Sequence, residues 1–160
     1  MALNGFFIRG GLTIGSIYLD ENIIFGKALL DTYKYESKIA CTPRIIIDEI
    51  VKKEINKYIE KEDYKEDTPQ NKYILIGDDE KEFIDYLTII HQLWGKILKH
   101  KEIIEKKLNE HRSDLKVFSK YQWLACYHNY FCDENKTKID DYVKYKIRDN
   151  DLNINFRRYY

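Results

Sequence analysis

Arg9 and the glycines around it, Gly10, Gly11 and Gly15, form the one group in this 160-residue chain whose types and spacing core packing leaves unexplained. The stretch that carries them alternates like a β-strand. Phe6, Ile8, Leu12 and Ile14 share one side, and Phe7, Arg9, Gly11, Thr13 and Gly15 share the other. The apolar side is expected to face the core, beneath helices. The second side offers a guanidinium and two positions without side chains, so something must approach the backbone closely there, a phosphate or a partner subunit; the plainer alternatives are a bulge or tight strand packing at the glycines and a surface arginine on an open sheet. Other candidate chemistry is sparse. His128 lies between Cys126 and Cys132, but on a helix positions 126 and 128 point about 200° apart, so a buried, hydrogen-bonded histidine is expected rather than a metal ligand. His91, His100 and His111 are expected to be solvated along a long helix. The acidic GDDE run, Gly77 to Glu80, reads as turn chemistry. The chain contains no phosphate-binding G-x-x-x-x-G-K-[ST] loop, G-x-S-x-G elbow or H-E-x-x-H motif.

Bulk composition narrows the classes. Basic and acidic residues balance at 27 each, so there is no positive field to draw a polynucleotide, and nucleic acid is not an expected partner. A small nucleotide needs only one helix end and one or two cations, and stays open. No apolar run approaches the roughly 20 residues of a membrane span. Three cysteines in no framework spacing point to a reducing, cytoplasmic setting. With 44% apolar residues, the chain is expected to fold as one globular unit.

The elements that must position Arg9 and the glycines follow from periodicity. After the opening strand, Asp20-Glu21-Asn22 makes a turn and Ile23 to Phe25 begins a partner strand. Gly26 breaks that strand, and Lys27 to Ser37 reads as a helix with Leu30 and Lys34 one turn apart. A short strand is expected at Lys38 to Cys41. Thr42-Pro43 then reads as the N-cap and first residue of an amphipathic helix running to about Glu60. Lys61 to Lys72 is a charged loop, and 73–87 a hairpin around the GDDE turn. Helices are predicted over about 88–111 and, capped by Ser113, to about Cys132, with weaker helix from Lys136 to Arg148. A terminal strand is expected at Leu152 to Phe156.

Two segments of the opening stretch, IRGGLTIG and IIFGKALLDTYKYE, resemble the Arg-x-Gly-Ile-x-x-Gly strand and the Gly-preceded helix of class III nucleotidyl (adenylate/guanylate) cyclases. They are most similar to the divergent bacterial anti-phage, Pycsar-type cyclases, and KIACTP sits where that family has a short strand. KYQWLACYHN, Lys120 to Asn129, resembles the helical C-terminal region of such proteins more loosely. The resemblance implies a lyase that converts a nucleoside triphosphate to a 3′,5′-cyclic nucleotide and pyrophosphate. It implies two-metal chemistry with Mg or Mn, on a ferredoxin-like sheet whose sites form between two subunits. Carried over residue by residue, it assigns Lys34 to the transition-state and phosphate position. Arg9, Gly11, Gly15 and Gly26 become nucleotide-facing positions.

The chain departs from the family pattern in ways that bear on activity. Leu30 stands where the family has a ribose-binding Asn, Ile23 where an Asp often reads the base, and Lys34 where an Arg supplies a bidentate fork. The metal-binding aspartates belong to strands that precede the matched segment, so this chain resembles the C-terminal portion of a cyclase-like protein and supplies no metal ligand itself. The expected fold is α+β: a partial cyclase-homology sheet with helices on one face over 1–87, and a mostly helical region over 88–160 packed on it as one unit. Cyclisation would then require a homodimer or a complementing N-terminal cyclase half. The alternatives are a non-enzymatic, degenerate cyclase-fold module for dimerisation or regulation, or a truncated reading frame.

Overall fold

The computed structural model of the chain describes residues 1–62, 68–91, 96–138, 141–148 and 154–159. In chain order it runs β1 (Gly10–Leu12), a hairpin of β2 (Tyr18–Leu19) and β3 (Ile24–Phe25), α1 (Lys27–Lys34) continued by a π-turn at Tyr35–Ile39, then β4 (Ile45–Ile47) and α2 (Glu49–Glu62). There follow α3 (Pro69–Tyr73), β5 (Ile74–Gly77), β6 (Glu82–Ile84), α4 (Tyr86–His91), α5 (Lys96–Glu110), α6 (Leu115–Glu134), α7 (Tyr142–Tyr145) and β7 (Phe156–Arg158). Five strands form one mixed sheet in the order β1-β4-β6-β5-β7, with β1 and β4 parallel and every other pair antiparallel. The architecture is α+β. The C-terminal strand β7 completes the sheet beside β5, so the helical half is tied back into the opening half.

Helices cover both faces of the sheet, not one as expected. The β4, β5 and β6 segments (III, ILIG, EFI) are apolar on both sides of the pleat, which is the pattern of strands buried twice over. Ile46 pairs with Phe83 and Phe83 with Leu75, and residues opposed across strands share a face. On this face α6 sets Trp123 and Tyr127 edge-on to the Phe83 ring at 5.4 and 5.7 Å, and Phe156 stands at 5.9 Å. On the opposite face Ile47, Ile74 and Ile84 pack with Val51 and Ile55 of α2.

The same register inverts the expected orientation of the opening strand. Gly11 lies opposite Ile46 and so faces the α6 side, and Phe7, of the same parity, packs into that core. The even-numbered residues Phe6, Ile8, Leu12 and Ile14 point to the other face, where α2 covers the central strands and not the β1 edge. They are exposed.

Local signals were displaced in recognisable ways. The strand expected at Lys38 to Cys41 is the π-turn, and the strand of this region is β4. Thr42-Pro43 caps nothing. The helix beyond it starts after Asp48, whose carboxylate accepts the Glu49 and Ile50 N–H groups. A Thr-Pro start does occur at Thr68-Pro69, where Thr68 Oγ1 accepts the Asn71 N–H at 3.1 Å, inside the segment expected as a loop. Asp114, not Ser113, caps α6. The 73–87 hairpin forms as β5–β6, and the predicted helices over 88–111 and 113–132 correspond to α4, α5 and α6. Continuity of the first of these through 92–95 lies outside the described residues, as do 63–67 of the predicted loop and positions 152 and 153 of the predicted terminal strand. Among the described residues no helix is long and apolar enough to cross a membrane.

Asp85, fully buried between β6 and α4, holds the assembly together. Its Oδ1 accepts the Tyr127 hydroxyl at 2.5 Å, and its Oδ2 accepts the Thr88 hydroxyl and Arg158 Nη1, both at 2.7 Å. Tyr127 Oη in turn accepts the Leu87 N–H at 3.0 Å. Tyr127→Phe removes one donor from the carboxylate and leaves that N–H without its acceptor. The expected loss is about 1–3 kcal/mol, read as a lower urea midpoint at unchanged m-value.

Candidate functional site

Three of the glycines, Gly11, Gly15 and Gly26, are points of close packing. A Cβ at Gly11 would lie 2.4 Å from Tyr35 Cβ, one at Gly15 would lie 3.3 Å from Ala28 Cβ, and one at Gly26 would lie 2.5 Å from the Ser16 carbonyl oxygen. What approaches the backbone so closely is therefore α1 and its π-turn, lying directly on the 11–16 segment. A side chain at Gly11 would displace Tyr35, whose hydroxyl donates to Asp48 Oδ1 at 2.6 Å.

Asp48 is the polar centre beneath this packing. It sits just past the carboxyl ends of the parallel strands β1 and β4, at the N-terminus of α2, where an anionic ligand would find free N–H groups. Here its own carboxylate fills that role. Oδ2 accepts the Thr13 hydroxyl at 2.5 Å, and the Asp48 N–H donates to the Leu12 carbonyl at 2.9 Å. Burial by itself would raise the Asp48 pKa, but the hydrogen bonds from Thr13, Tyr35 and the α2 backbone outweigh it and hold the carboxyl below its usual range. Burial, with Asp48 alongside, pushes the Tyr35 hydroxyl up to about 12.

The two cations expected to meet phosphate differ in their surroundings. Arg9 Nε donates to Glu36 Oε1 at 2.8 Å, and Nη2 contacts the same oxygen, so its charge is matched by the π-turn. Lys34 is exposed on the last turn of α1, with Leu30 one turn before it exposed as well. Many large apolar side chains of the same N-terminal stretch are exposed as well: Phe6, Leu19, Phe25 and Tyr33 are 71, 70, 62 and 68% exposed, and Ile17, Tyr18, Ile23 and Ile24 are exposed with them.

Sequence reasoning missed four buried groups. Arg44, 5% exposed, makes a two-point ion pair with Asp79 of the GDDE turn, Nη1 to Oδ1 at 2.9 Å and Nη2 to Oδ2. Its guanidinium lies over the Phe83 and Trp123 rings at 5.7 and 5.5 Å. Asp48 was legible in principle, as an acidic residue preceding the Ile50, Val51, Ile55 periodicity. Asp85 has no local signal, because all its partners except Thr88 are distant in sequence.

His100 is the fourth. It is fully buried rather than solvated, and stacks on His128 with ring centroids 5.1 Å apart. Their Nδ1 atoms are 2.9 Å apart, His100 Nε2 is 2.9 Å from the Tyr86 hydroxyl, and His128 Nε2 is 2.8 Å from the Tyr145 carbonyl. A carbonyl only accepts, so His128 carries its proton on Nε2. Its Nδ1 then accepts from His100 Nδ1–H, and His100 Nε2 accepts from Tyr86. Every position along this line is used when both rings are neutral. Burial drives both pKa values down, His128 to about 4, with His128 adding to the effect on His100 and Lys101 partly countering the Tyr145 carbonyl at His128. The Cys132 thiol, 3.6 Å from His128 Nε2, is pushed up to about 12, chiefly by burial. Among the described residues no group of three or more His, Cys, Asp or Glu is placed to hold a metal ion. His111 stacks on Tyr121, and the His91 side chain lies outside the described residues.

Comparison of the chain with protein-family models, with curated proteins and with solved structures gives no match.

Two outcomes follow from this geometry. Gly11→Ala should destabilise by about 1–3 kcal/mol because Tyr35 must move. Gly10→Ala, whose Cβ would meet only Ile45 Cγ1 at 4.0 Å, should leave the thermal midpoint within a few degrees. The unfolded chain protonates its histidines below about pH 6.5, whereas the folded pair stays neutral to lower pH. The stability the pair contributes is thus complete above that value and falls as pH drops towards about 4. Denaturant titrations between pH 6.5 and 5 should show unfolding free energy falling with acidification, and a His100→Phe, His128→Leu double variant should show a flatter slope.

Proposed function

We propose that the chain is a cyclase-homology segment: the C-terminal portion of a nucleotidyl-cyclase-like protein, working in the cytoplasm and related to the bacterial anti-phage enzymes. It contributes to making a 3′,5′-cyclic nucleotide only when a second chain supplies the metal-binding aspartates. The observation that supports the reading is that the R-G-G-L-T-I-G strand and the F-G-K-A-L-L-D-T-Y-K-Y-E helix pack on each other through their glycines, in a stretch whose large apolar side chains, like Lys34, are exposed. A strand whose apolar side is open, at the edge of its sheet, calls for a covering partner. That partner is a second copy or a complementing cyclase half that completes a ferredoxin-like sheet.

In this reading Lys34 provides a point charge for the triphosphate. Magnesium or manganese, held by the complementing chain's aspartates, would supply the activation of the 3′-hydroxyl. One lysine cannot cover the charge that develops on a transferring phosphoryl group. Arg9, already paired with Glu36, adds little to it.

The Arg9–Glu36 pair, with Leu30 in place of a ribose-binding amide, favours a second reading: a non-enzymatic module that keeps the fold for dimerisation or for regulating a partner. Calorimetry with each nucleoside triphosphate in the presence of Mg²⁺ separates the two, since the module binds none. Under both readings the apolar surface is an interface. Sedimentation velocity should therefore show self-association, or association with a complementing half, that Phe25→Asp weakens by about 10-fold or more. Under both, the isolated chain should release no cyclic nucleotide or pyrophosphate. Robust turnover by the chain alone would refute the need for a partner, and a strictly monomeric chain with no affinity for a complementing half would refute both readings.

A further inference from the structure

A cleft of about 320 Å³ opens in the C-terminal half, between one face of α5, the start of α6 and the chain that follows α7. Its floor is apolar: Leu108 and Ile147 are buried, and Phe118 packs beside them. Its rim is charged, with Lys101, Glu105, Arg112 and Arg148. Lys101 Nζ donates to the Lys144 carbonyl at 2.8 Å and lies 3.6 Å from Glu105 Oε1, so these two charges answer each other. Arg112 and Arg148 are exposed, and neither guanidinium is hydrogen-bonded or ion-paired among the described residues. Like charges on one rim repel, and an anion between them relieves both.

We propose that this cleft binds a small aromatic anion, a carboxylate or phosphate monoester on a single ring, with its oxygens on Arg112 and Arg148 and its ring on the Leu108, Phe118 and Ile147 floor. Guanidinium groups are planar forks of donors that match the oxygens of carboxylate and phosphate. The rim sets three cations against one carboxylate, and Glu105 is already answered by Lys101, so the occupant brings the missing negative charge. The floor is hydrocarbon and includes one aromatic ring, which suits a flat apolar body. At about 30 Å³ for each water-sized group, the volume holds roughly ten such groups, the size of one ring with one acidic group and well short of a nucleoside triphosphate. No lining residue belongs to the N-terminal stretch, so the site stands or falls without the cyclase reading.

The test titrates the full chain at neutral pH with benzoate, phenyl phosphate, neutral benzamide and inorganic phosphate. Binding is followed by ¹⁵N–¹H NMR of the Phe118, Ile147 and Arg148 backbone amides, which border the cleft. Benzoate or phenyl phosphate should bind saturably and shift all three, and the tighter of the two identifies the acidic group. Benzamide, which lacks the charge, and inorganic phosphate, which lacks the ring, should each bind about 10-fold or more weakly. Arg148→Gln should weaken binding about 10-fold, with a thermal midpoint within a few degrees of the parent because the side chain is exposed. Glu105→Gln should tighten binding about 3-fold or more by freeing Lys101, a gain that a loss of folding cannot imitate. Equal affinity for benzamide and benzoate overturns the anion assignment, and equal affinity for phenyl phosphate and inorganic phosphate overturns the role of the floor. Absence of saturable binding by either aromatic anion overturns the site. So does binding left unchanged in a folded Arg112→Gln, Arg148→Gln double variant.

Discussion

The carboxylate of Asp85 is the constraint on which the rest of the structure depends. A buried charge is tolerable only if its lone pairs are filled. Filling them draws Tyr127 from α6, Thr88 from α4 and Arg158 from β7 onto one point. Arg158 also donates to the Lys72 carbonyl at 2.9 Å, which brings in the end of α3. One side chain thereby fixes where the long helix, the terminal strand and the central hairpin meet, and the aromatic cluster around Phe83 packs in the space those contacts define. Burial and the neighbouring Asp85 charge push the Tyr127 hydroxyl pKa well above its ordinary value, so it remains a donor.

The N-terminal third is built on a different principle. Instead of filling space with large side chains, it removes them, and α1 settles onto the 11–16 segment through Gly11, Gly15 and Gly26. Asp48 ties the arrangement down through Thr13, Tyr35 and the start of α2, occupying with its own carboxylate the N-terminal position an anion would otherwise find. Packing of this kind consumes the glycine face and leaves the large apolar residues of the same segment pointing outward. The opening stretch consequently has a closely packed interior side and an uncovered exterior side.

Among the described residues, buried side-chain polar atoms are matched with three exceptions, Thr42 Oγ1, Arg44 Nε and Gln70 Oε1. The Tyr86, His100, His128 and Tyr145 line is fully satisfied with both rings neutral, and Asp79 is matched by Arg44.

Much of this protein is determined by the sequence alone. The β5–β6 hairpin, the amphipathic helix α2 from Glu49 onward, the helix α6, the turn at Asp20 to Asn22 and the burial of His128 follow from periodicity and turn chemistry. Those signals act over a few residues and need no distant partner. The R-G-G-L-T-I-G and F-G-K-A-L-L-D-T-Y-K-Y-E segments likewise announce close backbone packing before any coordinates exist. Tertiary structure alone decided which side of the opening strand faces inward, that residues 35–39 extend a helix rather than form a strand, and that His100, Arg44 and Asp85 are buried. Strand alternation specifies two faces but not which one is covered, because that depends on where α1 and α2 land. A buried charge is legible only once its partners, here up to 73 residues away, are brought beside it. The glycines around Arg9 illustrate both halves: their spacing signalled a close approach, and only the fold revealed that the approaching body is the chain's own helix.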